Sequence, residues 1–179
     1  MAKRLITYCV LVAVSAVPWS RAAEIQRTEP ITAEHEAVYT ALLRYIFRSH
    51  VTPKYRLVNR TEPLLLSDSL ASCVHLSEFG QPEPQRSVVH SLAGKFSGIK
   101  EIVLVGVDDP TGPRMGFPGS IPRLTVSNII FNQAHTAAVV HYQAHCGGLC
   151  GVGETLILRK VNGQWKHLDH RDDCGGDRD

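Results

Sequence analysis

The chain has 179 residues, with 19 Lys and Arg against 17 Asp and Glu, a formal excess of two positive charges. So even a balance, with no basic cluster along the chain, excludes the electrostatic footprint of a nucleic-acid binder or of a protein held on anionic membrane. The length suits one compact domain with its own core.

Lys3 and Arg4 open the chain, an apolar run from Leu5 to Val17 follows, and small residues close it around Ser20 and Ala22. That is the layout of a cleavable secretory signal, so residues 1–22 are expected to be a signal peptide and residues 23–179 a single domain, periplasmic or secreted. The run falls short of the roughly 20 apolar residues of a membrane helix. No second such run follows, and no membrane insertion is expected after processing. Cleavage would remove Cys9 together with Lys3, Arg4 and Arg21, turning the excess of two positive charges into a deficit of one.

Residues 31–47, ITAEHEAVYTALLRYIF, carry Val38, Ala41, Leu42, Tyr45 and Ile46 at helical spacing, with Thr32 placed to cap. YRLVN (55–59) and PLLLS (63–67) read as short strands around a turn-like RTE. Val88, Val89, Leu92 and Phe96 predict a second helix over 85–95, and EIVLVGV (101–107) predicts a strand. Residues 108–122 are dense in Gly and Pro and read as a long loop, a common place for function.

The last third is richest in β signal. LTVSNIIFN, TAAVVHYQAHC, GETLILRKV and QWKHLDH follow one another, and Asn162-Gly163 between two of them is a strong hairpin signal. The expected fold class is α+β: a curved antiparallel sheet, with a C-terminal meander of about four strands, and helices packed on one face.

Four cysteines remain after processing: Cys73, Cys146, Cys150 and Cys174. An even count in an exported chain favours disulfides. If residues 147–149 form a three-residue loop, Cys146 faces Cys150 at a separation a disulfide can bridge, about 4.5–5.5 Å at Cα. Cys73 with Cys174 is the complementary pair. The same strand geometry spreads His141 and His145 about 13 Å apart, too far to share one metal. CxxxC spacing at a hairpin also lacks the helix N-terminus that would lower a thiol pKa for redox work. No metal, cofactor or catalytic residue is assigned.

Continuing the register through Asn162-Gly163 pairs Leu158 with His167, Leu156 with Asp169 and Thr155 with His170. His141, Thr155 and His170 then share one cross-strand row, while Tyr142, Glu154 and Arg171 occupy the neighbouring row on the opposite face. His141, Glu154, Thr155 and His170 are the residues placed to face a ligand. Ser97-Gly98-Ile99-Lys100, Gly151-Val152-Gly153 and His35-Glu36 resemble catalytic or nucleotide motifs but lack their companions.

The segment from FPGS (117–120) through VSNIIFN, TAAVVHYQAHCGGLCGVGE and LRKVNGQWK resembles an uncharacterised family of exported bacterial proteins with a Cys-Gly-Gly-Leu-Cys-Gly turn and a Gly-x-Trp-Lys ending. The resemblance covers roughly the last third of the chain. It implies export and a shared β module, and no activity. His141, His145, His167, His170 and Cys174 depart from that pattern. The closing Gly-x-Trp-Lys strand is also similar to the ends of cystatin-like and nuclear-transport-factor-like folds, which implies helices on a curved sheet.

The expectation is therefore a small, exported, disulfide-stabilised protein of the cell envelope that binds a protein or small ligand and uses no cofactor. The alternative is a hydrolase or metal-dependent enzyme built on His141, His145, Glu154 or His170, with residues 108–122 as a lid.

Overall fold

The computed structural model describes residues 28–49, 54–64, 79, 88–109, 121–147, 150–168 and 174–177, the side chains of 150 and 174–177 excepted. The expected signal peptide and the loop tip at 110–120 lie outside the described residues. No helix among those described is long and apolar enough to cross a membrane.

The helix α1 (Ala33–Ser49) starts where the sequence places its cap. The Thr32 carbonyl accepts from the Glu36 N–H at 3.0 Å, and the Thr32 hydroxyl oxygen accepts from the His35 N–H at 3.3 Å. Glu34 and Glu36 in the first turn and Arg48 in the last complement the helix dipole. Val38, Tyr39, Leu42, Leu43 and Ile46 are buried, whereas Ala41 and Tyr45 pack only at the margin. The inward stripe is thus centred one residue away from the predicted one, which turns Tyr45 toward an edge.

The strands β2 (Tyr55–Val58), β4 (Ile102–Val105), β5 (Arg123–Val126), β7 (Ala137–Gly147), β8 (Cys150–Val161) and β10 (Cys174–Asp177) form the main sheet in the order β10-β8-β7-β5-β2-β4. Two short strands complete it: β6 (Ile130–Phe131) pairs with β7, and β9 (Gln164–His167) pairs with β8. The class is α+β with a curled sheet. Its second half is the antiparallel meander that the sequence predicts. Its first half differs: β2 runs parallel to both β4 and β5, so the sheet is mixed. Parallel neighbours far apart in sequence leave no turn signature to read.

The helix predicted over 85–95 is corrected. Val89–Ser91 is the strand β3, parallel to β1 (Thr28–Pro30). Its backbone is claimed by the chain after β2: Thr61 N–H donates to the His90 carbonyl at 2.9 Å, and Leu92 N–H donates to the Asn59 carbonyl at 2.8 Å. Gly94 at φ 73° and Phe96 at φ 62° then take left-handed conformations that a helix could not contain. Of PLLLS, Pro63 and Leu64 are not in a strand and residues 65–67 lie outside the described set; Glu62, just before it, forms an isolated bridge with Ser127.

The Asn162-Gly163 hairpin forms as predicted, with φ of 50° and 76° at the two turn residues. Alternation along β7 explains how the two sheet faces are used. Ala138, Val140, Tyr142 and Ala144 point into the core beneath α1, together with Leu57, Leu124, Leu156, Leu158 and Trp165. Ala137 and Val139, on the other face, join a smaller cluster with Leu64, Phe79 and Ile157. Beyond Val139 that outer face turns polar at half-buried His141 and exposed Gln143 and His145.

Candidate functional site

The β7–β8 arm keeps the predicted register as far as His145 opposite Gly151. It then shifts, so that Gly147 and not Cys146 stands opposite Cys150. The three-residue loop is therefore corrected to two residues plus a bulge at Cys146, with Gly147 at φ 118° supplying the backbone that the bulge needs. Cys146 is disulfide-bonded. Cys73 lies outside the described residues, and Cys150 and Cys174 are described only in backbone, so neither expected pairing is decided by contacts.

His141 stands opposite Thr155 and Tyr142 opposite Glu154, as the register predicts. The third member of the first row is corrected: Cys174, not His170, pairs with Thr155. Among the described residues, the ladder from Asn162-Gly163 ends with β9 at His167, and β10 pairs with β8 from Cys174. His170, Asp169 and Arg171 lie outside the described residues.

The pleat separates the remaining candidates. On the outer face, His141 Nδ1 lies 2.9 Å from Thr155 Oγ1, and the His141 N–H donates to Ser127 Oγ at 2.9 Å. Gly151 and Gly153 lie beside these rings, where an added Cβ would meet them at ordinary contact distance. A Cβ built at Gly151 would lie 3.4 Å from His145 Nδ1, and one at Gly153 would lie 3.5 Å from His141 Cε1. On the inner face, Glu154 Oε2 accepts from two tyrosine hydroxyls, Tyr142 at 2.9 Å and Tyr45 at 3.1 Å. Burial first, and the Glu154 hydrogen bond second, push the Tyr142 hydroxyl far above its ordinary pKa, so it remains a donor. His141, Thr155 and Glu154 are therefore not one site. Among the described residues no group of three or more His, Cys, Asp or Glu side chains could hold a metal ion.

A feature that sequence reasoning misses lies on the other side of Glu154. A groove of about 790 Å³ opens between α1 and β9, lined by Ala37, Thr40, Arg44 and Arg48 from the helix and by Trp165 and Lys166 from the strand. Ala33, Ala37 and Ala41 line its helix side, and the Asn162-Gly163 turn brings β9 alongside α1, with Trp165 facing the helix and Lys166 alternating to the other side of the strand. Glu36 also borders the groove but is spoken for by Lys95 Nζ at 2.9 Å. Arg44, Arg48 and Lys166 make no ion pair among the described residues. Tyr45, held by Glu154, packs its ring 4.6 Å from that of His167 and forms the inner wall. The sequence signal that could have found the groove is Arg44 and Arg48 at i, i+4 on the polar helix stripe. Nothing local links them to Lys166.

A third cluster surrounds the start of α1. The His35 ring lies 5.0 Å from His90 and 5.3 Å from Phe131, and Phe131 stacks on His135 at 4.9 Å. Glu34 accepts from Lys160 at 2.8 Å and lies 2.8 Å from His135 Nδ1, which with the nearby charges holds its carboxyl below the usual value. Burial, then the neighbouring His90, lowers the His35 pKa. His90 Nδ1 is buried with no hydrogen-bond partner.

No protein-family model, curated protein or solved structure matches the chain, so the functional reading rests on this geometry.

Proposed function

We propose that this is a small exported protein of the cell envelope, stabilised by a Cys146–Cys150 bridge, that works by binding a ligand in the groove between α1 and β9. The observation that carries the reading is the groove itself: about 790 Å³, bordered by two elements, with Arg44 and Arg48 on its helix side that no carboxylate among the described residues neutralises. That size falls within the usual range for small-molecule sites, about 300–1,000 Å³. Export rests on the charged, apolar and small-residue order of residues 1–22. The resemblance to exported proteins with a CGGLCG turn supports the same compartment. The hydrolase alternative draws less support, because the pleat sets His141 and His145 on one face of the sheet and Glu154 on the other.

The test is native mass spectrometry after incubation with envelope extract, comparing the wild type with Ala37→Trp. Ala37 is exposed on the helix, so the indole fills the groove without entering the core. A discrete small-molecule adduct on the wild type that is missing from Ala37→Trp supports the reading. An adduct that Ala37→Trp retains would overturn it.

A further inference from the structure

We propose that the groove takes a short, extended peptide, which adds as a further strand along the open edge of β9 and turns an acidic side chain toward Arg44 and Arg48. The inference rests on the groove being the ligand site and adds the chemical class of what it takes.

Among the described residues β9 pairs on one side only, with β8. The ladder shows which of its main-chain groups face the open side. Lys160 of β8 donates its N–H to the Thr136 carbonyl at 2.8 Å, so its main chain is turned toward β7 and away from β9. Trp165 is the Cα partner of Lys160 across the β8–β9 hairpin. In an antiparallel ladder the two then form a pair that exchanges no hydrogen bonds, and the Trp165 N–H and C=O point away from β8. An edge that presents such groups is a template for one more strand, and a peptide that adds there meets a donor and an acceptor on the same residue.

The groove lies along that edge. Gly163, Gln164, Trp165, Lys166 and His167 all border it. Side chains of a strand alternate between its faces, so a hollow on one face would be bordered by every second residue; five in succession mean that it follows the edge of the strand. Ala33, Ala37 and Ala41 form the facing wall at intervals of one helical turn, and their methyl groups leave room for the side chains of an added strand. β9 spans about 13 Å, and the helix wall from Ala33 to Arg48 about 22 Å. Walls of that length suit about four to six extended residues. The charges set the polarity. Arg44 and Arg48 lie on consecutive turns at one end without an ion pair among the described residues, while Glu36, toward the other end, is held by Lys95 at 2.9 Å. The peptide class comes from the strand edge. The arginines add only the preference for a carboxylate, to which a guanidinium fork donates.

The experiment is calorimetric titration of the full mature protein with six acetylated, amidated hexapeptides of alternating Val and Thr, each carrying one Glu at a different position. Saturable one-to-one binding is expected for at least one of them. Exchanging its Glu for Gln, or titrating Arg44→Ala, should weaken binding roughly tenfold or more, the scale of one charge-assisted hydrogen bond. Lys54→Ala, an exposed cation outside the groove, should leave it unchanged. N-methylation of each peptide amide in turn should weaken binding roughly fivefold or more at alternate positions only, because every second N–H of an added strand faces β9. Ala37→Trp should abolish binding. Ala37, Arg44 and Lys54 are exposed, and near-ultraviolet circular dichroism checks that each variant keeps its packing. The proposal is overturned if none of the six peptides binds, if binding survives Ala37→Trp, if the Gln peptide binds as tightly as the Glu peptide, or if N-methylation acts without alternation. Should the envelope adduct still be blocked by Ala37→Trp in those cases, the groove stands as the ligand site and only the peptide assignment falls.

Discussion

His35 shows how packing can give one side chain a pH dependence that its ordinary pKa would not. Burial first and the facing His90 of β3 second hold its pKa below 6.5, outweighing the upward pull of Glu34, with His135 beyond Phe131 adding least. The unfolded chain therefore takes up a proton on His35 at a pH where the folded chain does not. Stability is complete above the unfolded value of about 6.5 and is lost as pH falls through the depressed folded value. Glu34, also depressed, acts only in the more acidic carboxylate range. The midpoint of thermal unfolding is expected to drop between pH 7 and pH 5. In His35→Gln that drop should shrink; an equal drop in the variant would place the titration elsewhere.

Glu154 is the second residue whose role lies in its contacts. One carboxylate oxygen serves two tyrosine hydroxyls, and Tyr142 is fully buried. Glu154→Ala should cost about 1–3 kcal/mol in urea unfolding, the usual penalty for stranding a buried donor. Glu154→Gln, which keeps an accepting oxygen, should cost less. Equal losses in the two variants would mean that charge, not acceptance, is what matters. The sequence groups Glu154 with His141 as a ligand-facing residue. The pairing of Tyr142 with Glu154 is legible from the register, but the donor from Tyr45, 109 positions away, is not.

At the scale of elements, the β7–β8–β9 meander is legible because two local rules agree, period-two alternation and an Asn-Gly turn that needs left-handed backbone at both positions. Gly163 sits at φ 76°, and a Cβ added there would meet nothing within 4 Å, so space is not its constraint. Gly163→Ala should still destabilise by about 1 kcal/mol through backbone strain alone, measured by urea unfolding. A neutral effect would show that the turn relaxes. The bulge at Cys146 is not legible, because CGGLC fits a two-residue or a three-residue loop equally well. β3 escapes sequence reading for a related reason. Val88, Val89, Leu92 and Phe96 satisfy helical spacing, and what overrides it is the hydrogen bonding of His90 and Leu92 to the distant Asn59–Thr61 backbone.

The proposed Cys146–Cys150 disulfide belongs to the same scale. A Cys146–Cys150 bond closes so short a ring that chain entropy accounts for only about 2 kcal/mol. Non-reduced peptide mapping should find that pair, and reduction should leave the sheet folded. Recovery of Cys146 joined to Cys174 instead would tie β10 to the turn and change the account of this arm.

Across the whole molecule, the described residues of the helix and the sheet present two candidate surfaces. The outer face of β7 and β8 carries His141 and His145 over glycine-floored strands. The α1–β9 side carries a groove with uncompensated charge. The even charge balance of the chain hides this feature, since Arg44 and Arg48 add to a total that acidic residues elsewhere cancel. A net charge reports on the average surface and says nothing of one groove.

Amide hydrogen exchange, before and after loading with envelope extract, tests the groove account most directly. Slowed exchange is expected in the last turns of α1 and along β9, with the amides around His145, Gly151 and Gly153 unchanged. Slowing confined to that outer β7–β8 face, with none in α1 or β9, would contradict it.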